Sequence, residues 1–389
     1  MASLPEVRVN RKGANRVASG HPWIFSSDVT DRNAASPGDS VRVVDPGGRL
    51  VGTAHYSSTS QITLRLLSPR AETADRAFLR ARIEAATEHR RRVVTDTDAY
   101  RLVFSEADQL PGLIVDRYGD HLVIQTLTQG MDRLLPEITA CLRELFSPKS
   151  ILARNDAAVR SRENLPQHIT VMEGEIPARV AIRMNGLQLW ADLLGGQKTG
   201  VFLDQRENYL AARRWGRGRA LDCFTCTGGF ALHLAESCEG VEAIDSSASA
   251  LAVAEENRKT NGIANVSFRE ANAFDVLAGH DSAGRRFDTI VLDPPAFAKS
   301  RGHLDAAVRA YKEINLRALR LLGPGGVLMS CSCSHHVGEA ELLGIVAEAA
   351  LDAKRQIRVL ERRVQSLDHP ILLTVPETLY LKCLVLQAL

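Results

Sequence analysis

From about residue 185 onward, five short apolar runs alternate with stretches of helical spacing: "GRALDCF" (218–224), "GVEAID" (240–245), "NVSFREA" (265–271), "FDTIVLD" (287–293) and "GGVLMSCS" (325–332). Strands that are apolar throughout, separated by helix-length crossovers, belong to a mainly parallel sheet with helices on both faces, because each strand then buries both of its sides. The expected fold class is therefore α/β, with a doubly wound C-terminal domain. In such sheets ligands bind outside the carboxyl ends of the strands, so functional residues are sought where each run stops.

The first run continues as "ALDCFTCTGGFALHLA" (220–235), which reads as strand, glycine-containing turn and helix. Gly228 and Gly229 would let the backbone approach a ligand. The stretch is neither G-x-G-x-x-G nor a P-loop ending in Gly-Lys-Ser/Thr, so a dinucleotide fingerprint and a phosphate cradle are both disfavoured. The second run ends on Asp245, placed either to accept hydrogen bonds from ribose hydroxyls or to cap the helix of "SASALAVAEENRKTNG" (247–262). The third leads to Asn272, whose side chain could reach an adenine amino group. The fourth ends in "LDPPAF" (292–297), where Pro294 and Pro295 cannot continue a ladder and fix a rigid loop beside Asp293. This ordered set resembles the class I S-adenosylmethionine-dependent methyltransferases.

The fifth run ends in "MSCSCSHH" (329–336), with Cys331 and Cys333 in two overlapping Ser-Cys-Ser triplets. Residues two apart share a side of a strand, so periodicity leaves open which cysteine faces the site. His335 and His336 are adjacent and would diverge in a strand, and soft ligands for a second pair are lacking nearby. No metal site is expected. "CFTC" (223–226) has C-x-x-C spacing, but its place in a strand-to-turn segment beside glycines argues against a redox role.

Upstream, residues 1–72 read as short β elements broken by turn residues, with "DPGG" (45–48) as a hairpin turn, so a small β-rich domain is expected there. A helix is expected over 73–95, with Ala77, Phe78, Ile83 and Ala86 at helical spacing. It opens a central α+β domain to about 184, with two strands joined through "RYGD" (117–120), an amphipathic helix in "MDRLLPEITACLRELF" (131–146) and a strand in "SILARND" (150–156). Apolar content of 45% and charged content of 24% fit a globular chain rather than a disordered one. A formal net charge of +2 gives no general affinity for polyanions, so basic clusters such as "RKGANR" (11–16) and "HRRRVV" (89–94) carry that expectation locally. Seven cysteines, unevenly placed, do not form a disulfide framework, which fits a reducing compartment. The N-terminus lacks a signal-peptide core, and no apolar run approaches the roughly 18 residues of a membrane span. A cytoplasmic protein without a membrane partner is expected.

The motifs "HPWIFSSDV" (21–29), "PGDSVRVVD" (37–45), "DQLPGLIVDRYGD" (108–120), "KTGVFLDQREN" (198–208), "DCFTCTGGFALHLA" (222–235), "LDPPAF" (292–297), "SCSHH" (332–336) and "DHPILLTVPETLYLK" (368–382) occur in this order. Together they resemble the large-subunit rRNA cytosine-5 methyltransferase family that carries an N-terminal PUA domain, over nearly the full length. The resemblance implies a PUA-like RNA-binding domain over 1–72, a central α+β domain over 73–184 and a Rossmann-like catalytic domain over 185–389. It implies S-adenosyl-L-methionine as cofactor and large-subunit rRNA as partner, and it is compatible with a homodimer. The implied cofactor residues are Phe224, Thr225, Thr227, Gly228, Gly229, Asp245, Ser246, Asn272 and Asp293, joined by Lys198, Phe202, Asp204 and Arg206. Lys198, Asp204, Gln205 and Arg206 would supply polar contacts to the cofactor's methionine end or to RNA phosphate, and Phe202 would wall the site. Pro294, Pro295 and Phe297 would meet the substrate base, and Arg11, Lys12 and Arg16 the RNA.

In that family the nucleophile is the cysteine of the strand-five Ser-Cys-Ser motif, and the spacing to the residues that follow favours Cys333, with Asp293 as its catalytic partner. This sequence departs from related patterns at Ala296, where enzymes with a strand-four nucleophile carry cysteine, and at Cys226, where relatives often carry an aromatic residue. Two other functions remain open: methylation of an exocyclic amino group (guanine N2), in which the cysteine has no covalent role, and a catalytically silent RNA-binding assembly factor.

Overall fold

The computed structural model describes residues 4–196, 198–297, 302 and 304–389. The chain forms two compact units, one built from the residues up to Ile182 with Ala191–Gly200 and Leu367–Thr378, the other from Arg183–Trp190, Val201–Ser366 and Leu379–Leu389.

In the first unit a six-stranded sheet is formed within 6–68, and the "DPGG" turn joins its strands Ser40–Val44 and Leu50–Tyr56 as expected. Asp45 fixes that turn by accepting from the Gly47 amide at 2.8 Å and from Arg49 Nε at 2.8 Å. The residues of the expected central domain belong to the same unit, tied to the β-rich part by Trp23 Nε1 donating to Glu106 at 2.9 Å and by Ser57 Oγ donating to Glu163 at 2.7 Å. Three strands, not two, occupy the segment around "RYGD": Ala99–Phe104, Leu113–Tyr118 and His121–Thr126. They join Ser150–Asn155 and His168–Gly174 in a five-stranded sheet. The amphipathic helix of this region is split at Leu134, because Pro136 starts a new helix over Leu135–Phe146.

The helix expected over 73–95 spans Arg76–Val93, with Asp75 accepting from the Phe78 amide as its N-cap. Its buried stripe is Leu79, Ile83, Ala86 and Arg90, whereas Ala77 faces solvent. Arg90 is 1% exposed and donates to the Arg101 carbonyl at 2.9 Å, to Asp108 at 2.5 Å and to the Asp368 carbonyl at 2.8 Å. This one side chain fastens the Leu367–Thr378 segment to the helix and the neighbouring strand. Arg90→Ala should lower the free energy of unfolding by about 3–5 kcal/mol, because Asp108 is left without its buried partner. Urea denaturation checks the value, with loss of less than about 1 kcal/mol as the contrary result.

The second unit carries the sheet expected from the apolar runs. Its strands are β1 (Arg219–Cys223), β2 (Gly240–Asp245), β3 (Val266–Glu270), β4 (Phe287–Leu292), β5 (Leu322–Ser332), β6 (Ile357–Arg363) and β7 (Lys382–Ala388). The order across the sheet is β3-β2-β1-β4-β5-β7-β6. The first five strands are mutually parallel, and β7 inserts antiparallel between β5 and β6. Helices α1 (Arg206–Trp215), α2 (Gly229–Leu234), α3 (Ala248–Thr260), α4 (Ala273–Ser282), α5 (Leu304–Leu321) and α6 (Glu339–Asp352) accompany the strands. Leu221, Ile290, Leu292, Leu328 and Leu384 pack with Ile314 and Leu319 of α5 in the core. Strand order reverses between β1 and β4, so the carboxyl ends of those two strands open a crevice. Among the described residues no helix is long and apolar enough to cross a membrane.

Candidate active site

The turn after β1 is tight. Phe224 and Cys226 adopt left-handed backbone with φ of 66° and 50°, and Gly228 follows with φ of 88°. Left-handed backbone costs a non-glycine residue roughly 1–2 kcal/mol, so the turn must be held from outside. The Thr225 amide donates to the Ile244 carbonyl at 2.9 Å and the Cys226 amide to Asp245 Oδ2 at 2.8 Å. Gly228 is required by its φ. Gly229 has a further reason: a Cβ there would stand 2.4 Å from the ring of Tyr209, so this glycine also admits an aromatic side chain of α1.

Beneath the turn lies Asp222, fully buried at the end of β1. Its Oδ2 accepts from Thr225 Oγ1 at 2.6 Å, and its Oδ1 has no hydrogen-bond partner among the described residues. Burial pushes its carboxyl up to about 8, against the Thr225 hydroxyl, and the nearby Asp293 and Asp245 push it the same way. Asp245 accepts from the Cys226 amide and, through Oδ1, from the Ser247 amide at 2.9 Å. It therefore links the β1 turn to the start of α3, whose N-cap is Ser247 and not Asp245. Asn272 caps α4, its Oδ1 accepting from the Phe274 amide at 2.9 Å.

At the end of β4, Asp293 Oδ1 accepts from Gln205 Nε2 at 3.0 Å. Gln205 in turn accepts from Asn208 Nδ2 at 2.6 Å, and Asn208 accepts from Arg363 Nε at 2.9 Å. This chain of donors orients the Asp293 carboxyl from behind. Phe297 does not project alone: its ring lies 4.8 Å from Tyr311, 5.9 Å from Phe274 and 6.5 Å from Phe224. These rings make an apolar wall.

The two cysteines of β5 part company. Cys331 is fully buried opposite Cys383 of β7, and the Cys383 thiol together with burial raises its pKa well above the ordinary thiol value. Cys333 lies one residue past the end of β5 and is partly exposed, with Sγ 4.0 Å from the Pro294 carbonyl. Strand alternation, which treats the two alike, fails because the strand stops between them. The loop around Cys333 is pinned by Ser332 Oγ donating to the Tyr311 hydroxyl at 2.9 Å, by Tyr311 meeting Ser334 Oγ at 3.0 Å, and by Lys382 Nζ donating to the Ser334 carbonyl at 2.7 Å.

A PUA-like domain model matches residues 7–69, and a methyltransferase domain model matches 217–366. A ribosomal RNA large subunit methyltransferase I of Tolumonas auensis is 40% identical over 380 residues, 95% of this chain and 96% of that protein. The enzyme of the same name from Klebsiella pneumoniae is 39% identical over 371 residues, 93% of each. The chain belongs to the ribosomal RNA large subunit methyltransferase I family. The fold is shared with a Streptococcus mutans protein assigned as a SAM-dependent methyltransferase, at a TM-score of 0.84 and 19% identity over 99% of this chain and 100% of that one. A structure of equal TM-score is of a methyltransferase complexed with SAH.

The residues at the carboxyl edge fit the S-adenosylmethionine of this family. A buried carboxylate oxygen on Asp222 lacks a partner, and Asp245 and Asp293 share the same edge, so a ligand carrying an ammonium and a sulfonium would relieve the unfavourable burial of negative charge. The other residues singled out in the sequence differ in exposure and in their partners within the protein. Asp204 is 2% exposed and accepts from the Tyr380 hydroxyl at 2.7 Å, and Arg206, also 2% exposed, pairs with Glu207 at 3.4 Å. Burial turns both toward protein partners, away from the RNA phosphate contact considered for them. Phe202 is half-buried, Ser246 is exposed, and Lys198 is an exposed residue of the first unit. Arg11 and Lys12 are exposed on the helix Arg11–Ala18, but Arg16 is engaged with Asp28 at 3.2 Å and stacks 4.5 Å over Phe25. Among the described residues no group of three or more His, Cys, Asp or Glu side chains could hold a metal.

Sequence reasoning did not single out Asp222, Tyr311 or Lys382, and it gave Gln205 a different task. For Lys382 a signal existed: a lone lysine heads the apolar run "KCLVL" (382–386). Because the Asp222 carboxyl is raised to about 8, the folded state holds its proton where the unfolded chain, near pH 4, has lost it. Ligand-free protein should therefore lose stability as pH rises from about 4 to about 8. Asp222→Asn should flatten that slope and reduce the thermal shift given by S-adenosylmethionine. Melting curves across this range check both, and an unchanged slope with an unchanged ligand shift is the contrary result.

Proposed function

We propose that the chain methylates C5 of a cytosine in large-subunit rRNA, with Cys333 as a transient covalent nucleophile. The observation that carries this reading is the partly exposed thiol of Cys333 beside the Asp293–Pro294 loop, while Cys331 is sealed against Cys383. The large-subunit specificity is taken from the names of relatives about 40% identical over 95% of the chain.

The cofactor would be held by the turn of Phe224, Thr225, Thr227, Gly228 and Gly229, with Asp222 toward its amino group, Asp245 and Ser246 toward the ribose, and Asn272 toward the adenine. Asp293 completes the edge at the methionine end, with Phe202 as a wall. Asp204 and Arg206 support these residues from within the protein. When bound, S-adenosylmethionine supplies an electrophilic methyl group.

C5 of cytosine is a poor nucleophile. The Cys333 thiolate adds to C6, the C5–C6 double bond opens, and the electron pair becomes available at C5 as an enamine. A proton held between N3 and the Asp293 carboxyl, which Gln205 orients, passes to N3 and neutralises the charge entering the ring, and it returns to Asp293 on elimination. Once C5 carries the methyl group, a base takes the C5 proton, the double bond re-forms and Cys333 leaves as thiolate. Pro294, Pro295 and Phe297 bound the space for the base, which must be extruded or already single-stranded. Arg11 and Lys12 of the PUA-like part offer charge to the RNA backbone.

Cys333→Ala should lower methyl transfer to rRNA by about 10³-fold or more, as expected for loss of a nucleophile. Cys331→Ala should keep most of the activity. Transfer from radiolabelled cofactor, with bisulfite mapping of rRNA from a deletion strain, measures rate and position together. Full turnover by Cys333→Ala would instead favour amino-group methylation at the Asp-Pro-Pro loop. Absence of any heat on titrating the cofactor would leave an RNA-binding factor.

A further inference from the structure

Lys382 is the first residue of β7, in register with Ser332 at the end of β5. The residue is 4% exposed, and the strand continues inward as Cys383, Leu384 and Val385, all fully buried. An ammonium in such a place is costly without a counter-ion, because its hydration is lost and apolar neighbours return nothing. Its hydrogen bonds go to two neutral carbonyls, Ser334 at 2.7 Å and Tyr380 at 3.0 Å. Burial draws its pKa down to about 8, and the groups that resist the fall are Cys333 first and Glu341 of α6 after it.

Cys333 has the complementary need. The Pro294 carbonyl after β4 lies 4.0 Å from its Sγ, the Tyr311 hydroxyl of α5 bonds the serines on either side of it, and the ammonium of β7 bonds the carbonyl of the next residue, with Asp293 bringing negative charge to the same edge. Carbonyl and carboxylate oppose a thiolate, and Lys382 supplies positive charge. A neutral donor would serve to pin the Ser334 carbonyl, so the hydrogen bond alone does not explain why a charged side chain occupies this position.

We propose that Lys382 is the positioning residue that holds Cys333 as a thiolate, its buried ammonium being the counter-ion of the nucleophile. The inference rests on the reading of Cys333 as the attacking group and adds how that group is activated. The thiol proton goes to solvent while Lys382 stays protonated. On addition to C6 the negative charge leaves sulfur for the ring, and on elimination it returns to sulfur beside the same ammonium. Lowering the thiol's proton affinity therefore assists departure as well as availability.

The test is the pH dependence of iodoacetamide alkylation at Cys333, followed by peptide mass spectrometry on the full chain without RNA. In the native protein the rate should reach half its maximum below pH 8, against about 8.5 for an ordinary cysteine. Lys382→Met should move that midpoint upward by about one pH unit or more, and Lys382→Arg should keep it low. A native midpoint at or above about 8.5 overturns the proposal, as does a folded Lys382→Met variant with an unmoved midpoint. Should Lys382→Met not fold, the native midpoint decides by itself. Alkylation uses neither RNA nor methyl transfer, so full turnover by Cys333→Ala would remove the covalent reading and leave this ion pair standing.

Discussion

β5 is bonded on one side to parallel β4, with Leu292 opposite Ser330, and on the other to antiparallel β7, with Ser332 opposite Lys382. Those two ladders bring three separate sequence segments to one point: "LDPP", "SCSC" and "LYLK". Because β5 ends at Ser332, the next residue is freed from the alternation that buries Cys331. Tyr311 then ties Ser332 and Ser334 so that the released cysteine keeps one position beside Pro294. Displacing β5 by one residue would exchange buried and exposed faces along the whole strand. The site therefore depends on this register.

The electrostatics of the carboxyl edge follow the same geometry. Asp222, Asp245 and Asp293 come from the ends of β1, β2 and β4, and their mutual repulsion is part of what raises Asp222. Such an edge favours a cationic cofactor at the β1 and β2 side. Toward β7 the sign changes, because Lys382 is held there by the Ser334 and Tyr380 carbonyls. A sulfonium and a thiolate, the two reactants that must coexist in the proposed reaction, are thus matched by opposite protein charges on the two sides of β4.

The sequence predicted the parallel strands because they are mostly apolar runs between helical stretches, and all five runs form β1 to β5, although the edge strand β3 buries only Val266. β6 and β7 escaped notice: "IRVLERR" is half polar, and the apolar run of β7 follows a lysine and not a helix-length crossover. Asp245, Asn272 and Asp293 were located from strand ends, and the structure puts them at one edge. The packing role of Gly229 was not legible, because a glycine shows that room is needed and does not show that Tyr209 takes part of it. Asp204 and Arg206 look like surface contacts in a polar stretch, yet their partners Tyr380 and the adjacent Glu207 appear only once the chain is folded. Periodicity could not choose between Cys331 and Cys333, since the end of β5 is set by pairing with β7.

The central claim is a covalent bond between Cys333 and C6 of cytosine. Large-subunit rRNA transcribed with 5-fluorocytidine should trap it, because fluorine at C5 cannot leave as the proton does and elimination is blocked after methylation. Incubation with S-adenosylmethionine, nuclease digestion and peptide mass spectrometry should then give a methylated fluorocytidine adduct on the peptide containing Cys333. Absence of any adduct, or an adduct on Cys331, would contradict the account.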